Sequence, residues 1–265
     1  MLSQGRKGVL VSVAGFDPSA GAGVLLDLSV FRSLGFRGTA VLTALTVQDT
    51  RKVREVRSLP SRFVLSQYET LARDVPIAGV KVGMLGSGAN LKAASGILAA
   101  ASGLPRVVDP VLRSSSGVRL LDRHAVRAFL PALKGRLSLL TPNIEEAALL
   151  SGLKITTVRD METAARRLAE RILAPCLIKG GHLRGYPVNV LFDGAKTHLF
   201  DSPRIARPPV HGTGCYFSSA VLARLAGGFS LVSACRQATR LTREAIRTSA
   251  AVGRGRWLMD PGLHE

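Results

Sequence analysis

Short apolar and β-branched runs alternate with longer segments of helical period along the whole 265-residue chain, and no proline-rich or low-complexity linker or internal repeat interrupts them. That alternation predicts an α/β fold built from βαβ units around a central, mostly parallel sheet, with residues 1–265 forming a single domain. The punctuation agrees with the pattern. Gly35 follows Leu34 as a helix stop, and Pro142 and Pro175 stand beside strands rather than inside helices. A hydrophobic content of 46% is ample for a sizeable core and argues against disorder as the main state.

Taken in order, the first strand is expected at Val9 to Ala14, and a glycine-rich turn leads from it into a helix over Gly23 to Leu34. The run Thr39 to Thr46 is the second strand and Arg62 to Arg73 the second helix. Gly79 to Val82 then precedes a helix at Ala89 to Ala101, and Arg106 to Val108 one at Arg123 to Lys134. Leu137 to Leu140 leads into helices at Ile144 to Ser151 and Val158 to Leu173. Strands at Cys176 to Ile178 and Val188 to Phe192 come before helices at Gly214 to Ala226 and Leu231 to Ser249. The early apolar stretch Gly8 to Gly15 is strand-sized, shorter than a signal peptide or a membrane span, so a cytoplasmic location with no membrane association is expected.

Charge and cysteine usage narrow the function classes. The 36 basic and 18 acidic residues leave a formal charge of +18, a field that attracts nucleotides, nucleic acid and acidic surfaces alike. Nine arginines between Pro203 and Leu258 face one acid, Glu244. Arg236, Arg240, Arg243 and Arg247 recur at 4-3-4 spacing opposite Ala234, Ala238, Leu241 and Ala245, which makes a basic stripe on an amphipathic helix. It is read as a solvated face, because aromatics amount to only 5% and nucleic-acid binding would normally add stacking rings. Cys176, Cys215 and Cys235 are an odd number without ligand spacing, which argues for reduced thiols over disulfides or zinc.

In open parallel sheets, ligands gather beyond the carboxyl ends of the strands. After the first strand comes Ala14-Gly15-Phe16-Asp17-Pro18-Ser19-Ala20-Gly21-Ala22-Gly23, whose glycines let backbone approach a ligand closely, although tight packing also uses glycine. His211-Gly212-Thr213-Gly214-Cys215 precedes another helix, and its amides can converge on an anion there. Cys215 in that position is expected to have a lowered thiol pKa and to act as base or nucleophile; a buried structural thiol is the alternative. Asp109, Asn143 with Glu146, and Lys179 follow three further strands. Carboxylates plus an amide suit hydrated Mg²⁺ and a lysine suits phosphate, while singly each could be a cap or an ion pair, Asn143 an N-cap above all. Together with the anion loop they favour phosphoryl transfer, which needs positioning and charge stabilisation more than covalent chemistry.

The ordered set of motifs resembles the hydroxymethylpyrimidine and phosphomethylpyrimidine kinases of thiamine biosynthesis, within the ribokinase-like superfamily. It comprises Ala14-Gly15, Thr43-Ala44-Leu45-Thr46-Val47-Gln48, Lys81-Val82-Gly83-Met84-Leu85 and Val108-Asp109-Pro110-Val111, then Ser116-Gly117, Thr141-Pro142-Asn143, Lys179-Gly180-Gly181-His182 and His211-Gly212-Thr213-Gly214-Cys215. The resemblance implies a three-layer αβα ribokinase-like fold and ATP-dependent phosphorylation of a pyrimidine alcohol and then of its monophosphate. ATP and Mg²⁺ are the implied cofactors and a homodimer the implied assembly. It implies that Gln48 reads the pyrimidine, that Gly15, Asp27 and Met84 line that pocket, and that Gly212, Thr213 and Gly214 form the γ-phosphate anion hole with Cys215 as base. Asn143 and Glu146 match the magnesium motif, with Asp109 and Lys179 near the phosphates. A pyridoxal or pyridoxine kinase, and a non-catalytic metabolite-binding protein of the same fold, are the alternatives. Phe16, Ala20, Asp49, Arg113 and Tyr216 depart from the family pattern, and Phe16, Asp49 and Tyr216 are the departures expected to border the ring pocket.

Overall fold

The computed structural model describes residues 8–114, 117–181, 187–201 and 203–262; Ser116 and His182 of the motifs above lie outside them. Among the described residues one sheet contains β1 (Val9–Phe16), β2 (Arg37–Gln48), β3 (Val53–Ser58), β4 (Ile77–Val82) and β5 (Arg106–Val108). It continues through β6 (Leu139–Leu140), β7 (Cys176–Ile178), β8 (Val188–Phe192) and β9 (Thr197–Asp201). The spatial order is β3-β2-β1-β4-β5-β6-β7-β8-β9. The six central strands from β2 to β7 are parallel, whereas β3 pairs antiparallel with β2, β8 with β7 and β9 with β8. A short parallel pair, β10 (Val210–His211) and β11 (Trp257–Leu258), stands apart.

Helices cover both faces. α1 (Gly23–Ser33), α7 (Thr213–Ala226) and α8 (Leu231–Arg247) bury one apolar cluster against Leu10, Val107, Leu139, Leu177 and Leu191. α2 (Ser61–Asp74), α3 (Gly88–Ala100), α4 (Arg123–Leu133), α5 (Ile144–Ser151) and α6 (Val158–Ile172) bury another against Val11, Val13, Val108, Leu140, Ile178 and Val190. Successive residues of one strand therefore serve opposite cores, which is why these strands read as unbroken apolar runs. The result is the three-layer αβα architecture.

Local chemistry sets the helix ends. After α1, Gly35 adopts φ +81°, its amide donates to the Arg32 carbonyl at 3.0 Å, and the Phe36 amide donates to the Phe31 carbonyl at 2.9 Å, a Schellman stop. Capping boxes open α5 (Asn143 with Glu146) and α6 (Thr157 with Asp160). On α8, Arg236, Arg240, Arg243 and Arg247 are exposed and Ala234, Ala238 and Ala245 buried, as the spacing predicts. No helix of the described residues is long and apolar enough to cross a membrane.

Sequence reading missed four strands. β3 (V-R-E-V-R-S) and β9 (T-H-L-F-D) carry charged or polar residues because they are the sheet's edge strands, half solvated. β10 and β11 span two residues each, too short for any periodicity. Ala20, one of the departures noted above, adopts φ +56°, a conformation glycine holds without penalty.

Candidate active site

One cavity of about 1570 Å³ runs along the carboxyl ends of the parallel strands. It gathers Gly15 from the end of β1, Gln48 from the end of β2, Met84 after β4, Asp109 after β5, Asn143 and Glu146 after β6, Lys179 after β7, and Gly212 to Cys215 at the start of α7. The structure brings together all but one of the site residues expected from sequence. The exception is Asp27, which is corrected: it lies wholly buried below the lining rather than on it. Its Oδ2 accepts from Ser12 Oγ at 2.5 Å and Lys81 Nζ at 2.8 Å, and its Oδ1 from Lys81 Nζ and Ser219 Oγ, both at 2.8 Å. With both oxygens doubly engaged, the carboxylate holds Lys81, and Lys81 lines the cavity in its place. Burial opposes the Lys81 charge, but Asp27, with Cys215 and Asp109, outweighs it and holds the ammonium above its ordinary pKa. A lysine inside the apolar strand I-A-G-V-K-V was the available signal, since a charge there requires a buried partner.

The glycines of the two loops interlock. Gly212 stands at φ +81°, and a Cβ on it would come within 1.9 Å of the Gly21 carbonyl oxygen. A Cβ on Gly214 would meet Lys179 Nζ at 2.9 Å and Asp109 Oδ2 at 3.4 Å, so the start of α7 lies directly against the charged rim. There Lys179 Nζ donates to Asp109 Oδ1 at 2.6 Å. The Thr213 and Gly214 amides open α7, where unpaired N–H groups and the helix dipole favour an anion.

Asn143 is the N-cap that the alternative reading anticipated, and Glu146 completes a capping box with it: Asn143 Oδ1 accepts from the Glu146 amide and Glu146 Oε2 from the Asn143 amide, both at 2.8 Å. Both residues also face the cavity. Burial raises the Glu146 pKa, with the Asp109 carboxylate acting the same way against Lys179 and the backbone donors. Two neighbouring carboxylates, one of them raised, suit a cation. Among the described residues no group of three or more His, Cys, Asp or Glu side chains forms a cage.

The expected low pKa of Cys215 is overturned. Burial pushes its thiol up to about 11; the Asp27 and Asp109 carboxylates push the same way, while Lys81 and the Gly23 amide oppose them. The dipole of one helix start does not outweigh desolvation between two carboxylates. Roughly one thiol in 10⁴ is ionised at pH 7 on that value.

The departures separate. Phe16 and Asp49 border the cavity as expected, and Arg113 also reaches it. Asp49 Oδ1 accepts the Arg51 and Lys52 amides at 2.9 Å each, holding the β2–β3 turn. Tyr216, expected at the ring pocket, is instead fully buried in the α1–α7–α8 core and does not line the cavity. Sequence reasoning also gave no role to Asp17 and His211, which meet in the cavity with His211 Nε2 2.9 Å from Asp17 Oδ2.

Residues 17–260 match the family model described as phosphomethylpyrimidine kinase. The chain is 38% identical over 95% of its length, and 99% of the relative's, to the hydroxymethylpyrimidine/phosphomethylpyrimidine kinase of Aquifex aeolicus. It is 42% identical over 94% of its length to the thiamine biosynthesis bifunctional protein ThiED of Geobacter sulfurreducens, of which it spans 51%. Among solved structures, pyridoxal kinase from Staphylococcus aureus in complex with ADP superposes with a TM-score of 0.90 at 30% identity, covering 98% of this chain and 96% of that one.

Proposed function

Since the chain belongs to the phosphomethylpyrimidine kinase family, we propose that it transfers the γ-phosphoryl group of ATP to the hydroxymethyl oxygen of 4-amino-5-hydroxymethyl-2-methylpyrimidine, and then phosphorylates the monophosphate, in thiamine biosynthesis. The observation that carries the reading is that one cavity is lined both by Gly15, Gln48 and Met84 and by Gly212 to Gly214 with Lys179. ATP is the donor. The alcohol oxygen forms the new P–O bond as the bond to the leaving ADP oxygen breaks, and the hydroxyl proton goes to a base. The Gly212, Thr213 and Gly214 amides and Lys179 stabilise charge on the phosphoryl oxygens. Asn143, Glu146 and Asp109 would hold Mg²⁺ through water, and the ion would neutralise phosphate charge. Cys215 is the base, and its raised pKa fixes the sign of the pH response: the thiolate fraction of the free enzyme, and kcat/KM with it, rises with pH from the neutral range toward about pH 11.

The experiment is purified protein with Mg-ATP and the hydroxymethylpyrimidine, following mono- and diphosphate against pH. Cys215→Ala is expected to lose about 10² to 10⁴ in kcat while still binding ATP. Undiminished activity in that variant, or a rate flat from pH 7 to 9, removes Cys215 as base. A pyridoxal kinase is the second reading, favoured by the TM-score of 0.90 to the Staphylococcus aureus enzyme, and relative kcat/KM on the two alcohols decides between them. We place the enzyme in the cytoplasm as a homodimer. Leu45 and Val47, 43% and 53% exposed on one face of β2, are apolar residues that a second copy would cover.

A further inference from the structure

Asp17 and His211 sit beside Gln48 in an arrangement whose proton count permits one solution. Asp17 Oδ1 accepts the Ser19 amide at 2.9 Å and the Ser19 hydroxyl at 2.7 Å, leaving Oδ2 to face His211 Nε2 at 2.9 Å. Burial pushes the Asp17 carboxyl up, but the hydrogen bonds from His211 and Ser19 outweigh it and hold the group below its ordinary range. An ionised carboxylate only accepts, so the His211 Nε2 position carries a hydrogen whether the ring is neutral or charged. Gln48 Nε2 lies 3.0 Å from that same nitrogen. An amide NH₂ there sets donor against donor. At its other end, Gln48 Oε1 stands 3.5 Å from Thr46 Oγ1, whose hydrogen is committed to the Phe16 carbonyl at 2.9 Å, so acceptor meets acceptor.

A half-turn of the amide, which exchanges two ends of the same shape, removes both conflicts. Oxygen then shares the Nε2 hydrogen with Asp17, and NH₂ donates one hydrogen to Thr46 Oγ1 and keeps the other for the cavity. We propose that the Asp17–His211 pair fixes Gln48 in this orientation, making Asp17 and His211 positioning residues that present an amide N–H to the acceptor nitrogen of the substrate ring. The opposite orientation would need a bare Nε2 lone pair 2.9 Å from an ionised carboxylate with no proton between them. The pair contributes to specificity through Gln48 without touching the transferred phosphoryl group. The inference rests on the reading that Gln48 recognises the ring.

A double-mutant cycle on kcat/KM for the hydroxymethylpyrimidine tests it, with thermal melts checking that each variant folds. His211→Leu is expected to lose at least about tenfold, mostly in the KM of the ring substrate and with the KM for ATP unchanged. In a Gln48→Leu background the same replacement is expected to cost less than about twofold, because the group it positions is gone. Asp17→Asn provides a second route if the histidine variant fails to fold. Its oxygen must stay on the Ser19 amide, so it turns an N–H toward Nε2, moves the ring proton to Nδ1 and releases Gln48. It is expected to show the same loss, again suppressed in the Gln48→Leu background. Equal losses in both backgrounds overturn the positioning role and leave ring reading by Gln48 intact. No loss in Gln48→Leu alone overturns the ring reading and the positioning role together.

Discussion

Asp27–Lys81, from α1 and β4, and Asp109–Lys179, from the loops after β5 and β7, join the same two residue types, yet the first pair is closed to solvent, with Lys81 meeting the cavity from beneath, and the second stands on the cavity rim. Both side chains of the first are 0% exposed. In the second the lysine is 14% and the aspartate 3% exposed. The difference lies in the remaining partners. Ser12 and Ser219 add short bonds to Asp27, at 2.5 and 2.8 Å, so that nothing is left for a ligand. Asp109 Oδ2 has Ser218 Oγ only at 3.4 Å, and Ser218 also points to the carbonyls of Gly214 and Cys215 in its own helix. A charge pair whose lone pairs are all taken can only hold the scaffold. One with an oxygen left over can exchange its partner for a cation or a phosphate, and Lys179 is then free to follow the anion.

Removing the lysines separates the two roles. Lys81→Met leaves Asp27 buried without a counter-charge and is expected to destabilise the protein by about 3–5 kcal/mol, read from urea unfolding with an unchanged slope. Replacing both partners, Lys81→Met with Asp27→Leu, should recover much of that loss. Lys179→Met is expected to fold with a smaller loss of stability, because water reaches the rim, and to lower kcat by about 10² to 10³ through one missing contact to the transferred phosphoryl. Equal stability losses for Lys81→Met and Lys179→Met would abolish the distinction. The smallest effect comes from consecutive residues of α7. Ser219→Ala removes a hydrogen bond to a buried carboxylate and should cost about 1.5–3 kcal/mol, while Ser218→Ala, whose hydroxyl mainly serves its own helix, should cost about 1 kcal/mol or less. Reversal of that order would show that Asp109, rather than Asp27, depends on the hydroxyls of α7.

The same contrast marks what sequence could show. Helix ends were legible because they are local: Asn143 with Glu146, Gly35 and the arginine spacing on α8 each act within a turn or two. The open half of the site was legible for a related reason. Charged residues immediately after apolar strands, and Gly-Thr-Gly before a helix, stand out as candidate ligand contacts by their own position. The sealed half was not, since Ser12, Asp27, Lys81 and Ser219 come from four separate elements and only the fold places them together. The Cys215 pKa failed on the same ground: its helix start is a local feature, but the burial that raises it, with the carboxylates of Asp27 and Asp109, comes from segments far away in the chain. β3 and β9 went unread because an edge strand need not be apolar on both faces.

The bonds that complete the site also impose an order in time. Ser219 meets Asp27 across 192 residues and His211 meets Asp17 across 194. A ribosome that has just made the first strand and helix must add most of the chain, at 5–20 residues per second a matter of roughly 10–40 s, before either bond can form. Until then Asp27 lacks one of its hydroxyl donors and the loop from His211 to Cys215 does not exist. A nascent chain that has not yet reached α7 therefore has strands and helices available to it but no means of holding ATP against an acceptor, and catalytic competence arrives late in synthesis, with docking of α7.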